Sequence, residues 1–262
     1  MSTTSNPVKT YSTKPLVLYC RAVLFYVGMT VATLLIAPLV IICIPLGFER
    51  LYAMTKWWTG FNTWWIKVSC KVSYEIHGKE NMPDHAVIVL SKHQSTWETI
   101  FLHWFLPPLA WVLKRELLWF PLFGWALATL QPIAIDRKSS KEAMKQLYEQ
   151  GQKHLNNGRW VLLFPEGTRT APGQRRRYKI GGARLAADTG YPILPIAHNA
   201  GEYWRRRSVL KYPGTIHVVI GPLIESQSRS AQELNSEVEK WIEETMMRIS
   251  AIPKTQEAAL EQ

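Results

Sequence analysis

The longest apolar run of the chain lies near its N-terminus. Residues 22–48 contain no charged side chain. As one α-helix these 27 residues would be about 40 Å long, against ~30 Å for the hydrocarbon core of a bilayer. The run is too long for a cleaved signal peptide, and no small-residue cleavage site follows it. We therefore expect a membrane-embedded helix that kinks or ends at Pro38 or Pro45.

The next segment repeats its apolar residues at helical spacing. The repeat consists of Leu51, Met54, Trp58, Phe61, Trp65 and Val68. Polar residues separate them, which predicts an amphipathic helix with an aromatic stripe. Such a helix either lies in the headgroup plane of a membrane or packs on the core of a domain. The sequence leaves both interpretations open.

Basic residues flank the apolar run on both sides, so the positive-inside bias gives no orientation for a single span. A helical hairpin with both ends on the cytoplasmic side would remove this conflict. We therefore predict a membrane-associated helical hairpin over residues 14–70, preceded by a flexible tail at 1–13.

Beyond residue 70 short strands alternate with helices. Strands are predicted at residues 71–76, 86–91, 110–113, 132–135, 160–164, 193–197 and 215–220. Helices are predicted at 95–106, 140–157, 182–188 and 231–252, the last capped by Ser230 and Glu233. This alternation predicts an α/β domain over residues 71–252, with a central, largely parallel sheet flanked by helices. Residues 253–262 are expected to form a second flexible tail.

The charge of the chain is unevenly distributed. The formal net charge of +11 divides into +5 over residues 1–70, +10 over 71–224 and −4 over 225–262. A basic body favours an anionic partner, such as nucleic acid, anionic lipid or a phosphorylated substrate. The 12 tryptophans favour lipid, and no nucleic-acid-binding fold is evident. The three cysteines imply no disulfide framework.

A histidine and a glutamate follow the second predicted strand, in the segment His-Gln-Ser-Thr-Trp-Glu at residues 93–98. On one continuous helix His93 and Glu98 would lie about 140° apart. At a strand–loop–helix junction Glu98 can reach back to the imidazole. A carboxylate there would fix the tautomer of a general base. Residues 95–98 also match a capping box, so Glu98 has a purely structural alternative.

A second polar block, Phe-Pro-Glu-Gly-Thr-Arg at residues 164–169, follows another apolar strand. Gly167 permits a sharp turn, and Arg169 is able to grip a phosphate with two parallel hydrogen bonds. The basic stretch 175–179 leads to a further helix start, where anions are favoured. For Arg175 and Arg176 a solvated loop is the simpler interpretation.

These blocks resemble the membrane glycerolipid acyltransferases, in particular the 1-acylglycerol-3-phosphate acyltransferases. That family carries a histidine, four residues and an acid, as at His93 and Glu98. Its later blocks resemble residues 133–137, 164–169 and 193–197, and its aromatic-Lys-Lys-Gly turn resembles residues 178–181. The similarity covers about residues 74–220 in family order.

Two departures from the family pattern affect the expected site. Glu98 replaces the usual aspartate and adds one methylene between backbone and carboxylate. The glycine that usually opens the family block matched by residues 133–137 is missing, and Leu130-Gln131-Pro132 stands in its place. The first departure affects the histidine–carboxylate distance, and the second affects the local turn.

The resemblance implies roles for particular residues. His93 would take the proton from the acceptor hydroxyl, and Glu98 would hold the imidazole. Substrate phosphate and glycerol would be bound by Arg137, Glu166, Gly167, Thr168, Arg169 and Lys179, with Glu166 either anchoring the acceptor loop or contacting the glycerol. Lys114 and Pro195 are further candidates for substrate contact.

The resemblance further implies transfer of a fatty acyl group from acyl-CoA or acyl-carrier protein to lysophosphatidate, at the cytoplasmic face of a bacterial inner membrane. No cofactor or metal is expected, because neither His-Glu-x-x-His nor a paired Cys-x-x-Cys occurs. The alternatives are acylation of another lysophospholipid or lipid acceptor, and a non-catalytic lipid-binding protein in which Glu98 marks lost activity.

Overall fold

The computed structural model describes residues 13–136 and 139–252. The tails predicted at 1–13 and 253–262 therefore lie, apart from residue 13, outside the described residues. Seven strands form one sheet: β1 Val72–His77, β2 Ile88–Ser91, β3 Leu109–Lys114, β4 Ile133–Ile135, β5 Trp160–Leu163, β6 Ile193–His198 and β7 Gly214–Ile220.

Within the described part of the chain, seven α-helices accompany the strands. They are α1 Pro15–Ile42, α2 Phe48–Cys70, α3 Trp97–Phe105, α4 Phe123–Thr129, α5 Ser140–Asn156, α6 Gly181–Thr189 and α7 Ala231–Ile249. Helix α7 begins with the predicted capping box, in which Ser230 and Glu233 exchange hydrogen bonds. It ends at Ile249, three residues before the predicted end.

The strands follow the order β1-β7-β6-β2-β5-β3-β4. All neighbouring pairs are parallel except β6 and β7, which are antiparallel. Strands β2 and β5 are buried at every position, as expected for a sheet covered on both faces. The predicted α/β fold with a largely parallel sheet is therefore confirmed.

Helices α1 and α2 pair as an antiparallel hairpin. The Trp65 indole donates hydrogen bonds to the carbonyls of Leu24 and Phe25, both at 3.2 Å, and the Trp58 indole donates to Thr33 Oγ1 at 3.0 Å. Among the described residues α1 is the one helix long and apolar enough to cross a membrane, judged by length and composition alone. Large apolar side chains such as Leu34 and Leu35 are exposed along it.

Helix α1 passes through Pro38 and ends at Ile42, three residues before Pro45. Ala37 and Val40, on the two sides of Pro38, are packed against Leu51 and Ala126.

The inward face of α2 differs from the predicted apolar stripe. Helix α2 buries the small polar side chains of Thr59, Asn62 and Thr63, whereas Phe61 and Val68 are exposed. Their polar groups bond to carbonyls within the helix, which lets neighbouring helices approach closely.

Gly28 allows the closest approach within the hairpin, because a Cβ at this position would overlap the Trp65 indole. We expect Gly28→Leu to lower the free energy of unfolding by about 1–3 kcal/mol through overpacking. Thermal unfolding in detergent measures the effect. Val27→Leu, at an exposed position one residue earlier, is the control. Equal melting temperatures for the two variants would contradict this packing.

Candidate active site

The site lies along one edge of the sheet. Strands β2, β5, β3 and β4 are parallel neighbours, so their carboxyl ends meet at the same edge. His93 follows β2, the 164–169 block follows β5, and Lys114 ends β3. Segments far apart in sequence are therefore brought together by strand order, at the edge where open α/β sheets bind ligands.

His93 and Glu98 are in direct contact. Nδ1 of His93 lies 2.9 Å from Oε1 of Glu98. A carboxylate accepts, so the hydrogen is on Nδ1 and the lone pair of the ring is on Nε2. His93 precedes α3 and Glu98 lies in its first turn, which is the junction geometry expected from the sequence.

The same Glu98 oxygen also caps the helix start. It accepts hydrogen bonds from the backbone amides of Gln94 at 2.9 Å and Ser95 at 2.7 Å. The capping and histidine-orienting interpretations of Glu98 therefore hold together. Burial opposes the charge of this fully buried carboxyl, but the imidazoles of His198 and His93 and the Ser95 amide bring the pKa of Glu98 below its usual value. Glu98 is thus an anion at neutral pH.

The imidazole of His93 is held on its face as well as at its edge. The ring stacks on Phe164 with centroids 3.8 Å apart and planes 10° from parallel. The side chain is 13% exposed, so the ring is oriented by protein yet reaches the surface of the site. Phe164 comes from the block that follows β5, which places the two sequence blocks against each other.

Backbone hydrogen bonds join the loops around His93. The Thr170 amide donates to the His93 carbonyl at 2.8 Å, and the Lys179 amide donates to the Pro165 carbonyl at 2.8 Å. Gly167 has φ +69°, a left-handed conformation that other residues resist. The 164–170 loop is therefore fixed on one side by the His93 loop and on the other by residue 179.

Glu166 is buried beneath this loop. Its Oε1 accepts from the His93 amide at 3.3 Å and lies 3.1 Å from Lys92 Nζ. Burial raises the pKa of Glu166 although Lys92 favours its charged form. The structure thus gives Glu166 a role in anchoring the loop, the first of the two functions that the resemblance implied.

The predicted phosphate-binding residues differ in their surroundings. Thr168 and Arg169 are half-buried, Lys179 is exposed, and Arg206 donates to the Arg169 carbonyl at 3.1 Å. Within residues 13–136 and 139–252 no ion pair engages the guanidinium of Arg169. A Cβ at Gly167 would lie 3.0 Å from Lys179 Nζ, which puts the ammonium beside this turn. Arg137 lies outside the described residues.

Lys114 and Pro195 occupy different positions in the sheet. Lys114 ends β3 at the site edge, exposed and 3.1 Å from Glu116. Pro195 is buried within β6, where it opposes Leu90 of β2 and its carbonyl accepts from Gly221. Pro195 is thus enclosed by the sheet, and its contact with substrate stays a prediction.

Gln131 adopts the backbone conformation of the glycine that is missing before residues 133–137. Gln131 has φ +53°, the left-handed conformation that glycine adopts readily. Its side chain accepts a hydrogen bond from Arg159 at 2.9 Å, which helps to hold this turn. The departure from the family pattern therefore leaves the turn in place.

Several residues of the site have no signal in the motif pattern. Lys92 and Glu243 are buried and 2.6 Å apart, although they are separated by about 150 positions in sequence. His198 lies behind the His93 loop, with Nε2 2.7 Å from the Lys92 carbonyl and Nδ1 accepting from the Ala200 amide. Burial lowers the pKa of His198, so it is a neutral support for the loop.

One group of metal-ligand side chains lies elsewhere on the sheet. Potential ligand atoms of Glu75, His77 and His217 lie within 4.8 Å of one another on the outer strands β1 and β7. This group is separated from β2 by β6 and belongs to a different part of the molecule from His93. The expectation of a metal-free reaction stays a prediction.

Comparisons with known proteins agree with this geometry. A family model described as Acyltransferase matches residues 73–199. A 1-acyl-sn-glycerol-3-phosphate acyltransferase from Pseudomonas aeruginosa is 48% identical over 237 residues, covering 88% of this chain and 92% of the relative. The human 1-acyl-sn-glycerol-3-phosphate acyltransferase alpha is 35% identical over 136 residues, covering 50% of this chain and 47% of the relative.

A solved structure shares the fold. The crystal structure of the 1-acyl-sn-glycerophosphate acyltransferase PlsC from Thermotoga maritima aligns with a TM-score of 0.76 and 22% identity, covering 90% of this chain and 97% of that chain. The chain therefore belongs to the acyltransferase family of these glycerolipid enzymes.

Gly167→Ala tests the tight turn of the site. A Cβ would lie 2.8 Å from Lys179 Cε, so the methyl group displaces the lysine in addition to straining the backbone. Gly158 has φ +74° with open space around it, so Gly158→Ala is a matched control for strain alone. We expect both variants to lose about 1–2 kcal/mol of stability, and only Gly167→Ala to lose acyl-transfer activity as well. Full activity in Gly167→Ala would contradict a role for this turn.

Proposed function

We propose that this enzyme transfers a fatty acyl group from an acyl thioester to the free hydroxyl of 1-acylglycerol-3-phosphate, which makes phosphatidic acid. The observation that carries the proposal is the His93–Glu98 contact beside the loop of Arg169, whose guanidinium forms no ion pair within the described residues. The chain is 48% identical to a 1-acyl-sn-glycerol-3-phosphate acyltransferase. The donor is acyl-CoA or acyl-carrier protein, and no cofactor is needed.

The base in this proposal is Nε2 of His93. Glu98 keeps the hydrogen on Nδ1 and stabilises the imidazolium that forms when Nε2 accepts a proton. Phe164 restrains rotation of the ring, so the lone pair keeps one direction. A neutral imidazole is well matched to proton transfer from an alcohol near neutral pH.

The reaction then proceeds without a covalent acyl-enzyme. The acceptor hydroxyl oxygen attacks the thioester carbonyl carbon as its proton moves to Nε2. The tetrahedral intermediate collapses, the carbon–sulfur bond breaks, and the imidazolium returns the proton to the departing thiolate. The products are an ester and a free thiol. Placing both substrates beside one ring supplies much of the acceleration.

The acceptor phosphate would bind at the turn formed by residues 167–169. Arg169 has a guanidinium free to pair with two phosphate oxygens, and Lys179 adds an ammonium at the same turn. Arg137 would complete this group. Thr168 offers a hydroxyl at the same position. The phosphate thereby sets the distance between the glycerol hydroxyl and His93.

The hairpin would hold the domain at the inner membrane, with the catalytic domain on the cytoplasmic side where acyl thioesters are made. The exposed apolar surface of α1 and the exposed Trp57 and Trp64 of α2 support this arrangement. Both termini would then lie on the cytoplasmic side. Reporter tags at the two ends that respond on opposite sides would contradict the hairpin.

His93→Ala and Glu98→Gln test the chemistry. We expect thiol release from lysophosphatidate and acyl-CoA to fall about 10²–10⁴-fold in His93→Ala, because the base is lost. Glu98→Gln should also lose most of its turnover, because a neutral amide does not stabilise the imidazolium. His85→Ala, at an exposed histidine, is the control. Turnover of His93→Ala equal to that of the control would exclude the base role.

Arg169→Ala tests recognition of the phosphate. Loss of a charge-assisted pair should raise KM for lysophosphatidate about 10–100-fold, while monoacylglycerol should be used no worse than by wild type. Arg184→Ala is the control, since Arg184 pairs with Asp188 on the surface of α6 at 2.8 Å. An equal loss for both acceptors would indicate that Arg169 does not bind phosphate. Preference of the wild type for another lysophospholipid would favour the alternative acceptor.

A further inference from the structure

A buried ionic cluster underlies the catalytic loops. Lys92 directly precedes His93, is 1% exposed, and lies 2.6 Å from Glu243 and 3.1 Å from Glu166. The Tyr178 hydroxyl donates to the same Glu243 oxygen at 3.1 Å. The acyl-transfer mechanism makes no direct use of Lys92 or Glu243.

The cluster links three segments of the active site to the C-terminal helix. Lys92 belongs to the His93 loop, Glu166 to the loop after β5, and Tyr178 precedes Lys179. Glu243 comes from α7 and lies outside residues 73–199, the stretch that the family model matches. One side chain of α7 therefore contacts, directly or through Lys92, the segments that carry His93, Arg169 and Lys179.

The charges explain why the cluster needs Glu243. Burial lowers the pKa of a lysine, yet the two carboxylates more than offset this and raise the pKa of Lys92. A charged Lys92 holds Glu166 in place, and Glu166 in turn accepts the His93 amide. Breaking a buried pair leaves an uncompensated charge, so loss of Glu243 would disturb the position of Lys92.

We propose that Glu243 is a positioning residue for acyl transfer, acting through Lys92 and Glu166 on the backbone of His93. This inference depends on the proposed function for its rate measurements. It adds to that function a requirement that α7 stay docked against the catalytic loops. Glu243 touches no substrate in this role.

Glu243→Gln is the central variant, and Glu239→Gln is its matched control. Glu239 lies one turn earlier on α7 and forms an ion pair with the partly exposed Arg175 at 2.7 Å. We expect kcat of Glu243→Gln to fall about 10–100-fold, because small displacements of a reacting group are costly, while KM changes less than about threefold. Glu239→Gln should match the wild type in both constants.

The pH profile separates positioning from general damage. Burial raises the pKa of Glu166, and only its ionised form holds both Lys92 and the His93 amide, so protonation of Glu166 contributes to the loss of activity at acid pH. In Glu243→Gln the carboxylate of residue 243 is absent, so Lys92 pairs with Glu166 alone. Loss of this nearby negative charge lowers the pKa of Glu166. The acid limb of Glu243→Gln should therefore move to lower pH. A purely structural loss would reduce the rate at every pH.

A double-mutant cycle tests the route through Lys92. Glu243→Gln should change kcat less than about twofold in a Lys92→Met background, because the proposed effect passes through Lys92. Tyr178→Phe gives a second cycle that removes one hydrogen bond and no charge. Tyr178→Phe should lower kcat about two- to fivefold in the wild-type background and leave the kcat of the Glu243→Gln variant unchanged. Full additivity in either cycle would overturn the proposed route.

A measurement without turnover keeps this inference distinct from the proposed function. The His93 amide resonance, observed after ¹⁵N-histidine labelling and assigned by comparison with His93→Gln, should shift in Glu243→Gln and not in Glu239→Gln. Wild-type protein without acyl-transfer activity would refute the proposed function, and the resonance would still decide the inference. An unchanged resonance, or kcat and pH profile equal to those of Glu239→Gln, would overturn it.

Discussion

Burial of one negative charge organises the active site. The Glu98 carboxylate is removed from solvent, so its charge must be met by donors within the protein. It finds them in two backbone amides and the imidazole of His93, all on the same oxygen. This requirement closes the loop between β2 and α3 and gives the ring one orientation. Glu98, one methylene longer than the aspartate usual in the family, reaches the imidazole of His93 at 2.9 Å.

A second group of buried charges lies behind the His93–Glu98 pair. Lys92, Glu166 and Glu243 form a continuous ionic contact across two loops and the last helix. Such groups are costly to bury and are retained where geometry matters more than net stability. Here they lie directly behind His93, whose amide is itself bonded to Glu166. The cluster is therefore placed to fix the backbone position of the proposed base.

The hairpin and the carboxyl edge of the sheet differ in the surfaces that they expose. The hairpin exposes apolar side chains of α1 and aromatic residues of α2, while its inner face is closed by indole and threonine hydrogen bonds. The sheet places its reactive loops at the carboxyl edge, where backbone ends are free to contact a ligand. A lipid acceptor has one apolar and one anionic end. The hairpin exposes an apolar surface that suits the first, and Arg169 and Lys179 provide positive charge that suits the second.

Much of this was accessible from the sequence, because local patterns decide local structure. Period-two and period-3.6 patterns predicted the strands and helices. The position of His93 and Glu98 at a strand–loop–helix junction indicated that the two side chains could meet. Turn conformation was harder to infer: Gln131 takes a left-handed shape without a glycine to indicate it. The inward face of α2 was also missed, because its buried threonines satisfy their hydroxyls within the helix and so mimic a solvent-facing surface.

By itself the sequence determined the elements, the order of the reactive blocks and the chemical types that they carry. Only the tertiary structure decided which side chains meet across long sequence separations. Strand order brings the loops after β2 and β5 together, and α7 brings Glu243 to Lys92. Such contacts leave no periodic signal, because a buried ion pair depends on the distance between two side chains in space and not on their spacing along the chain.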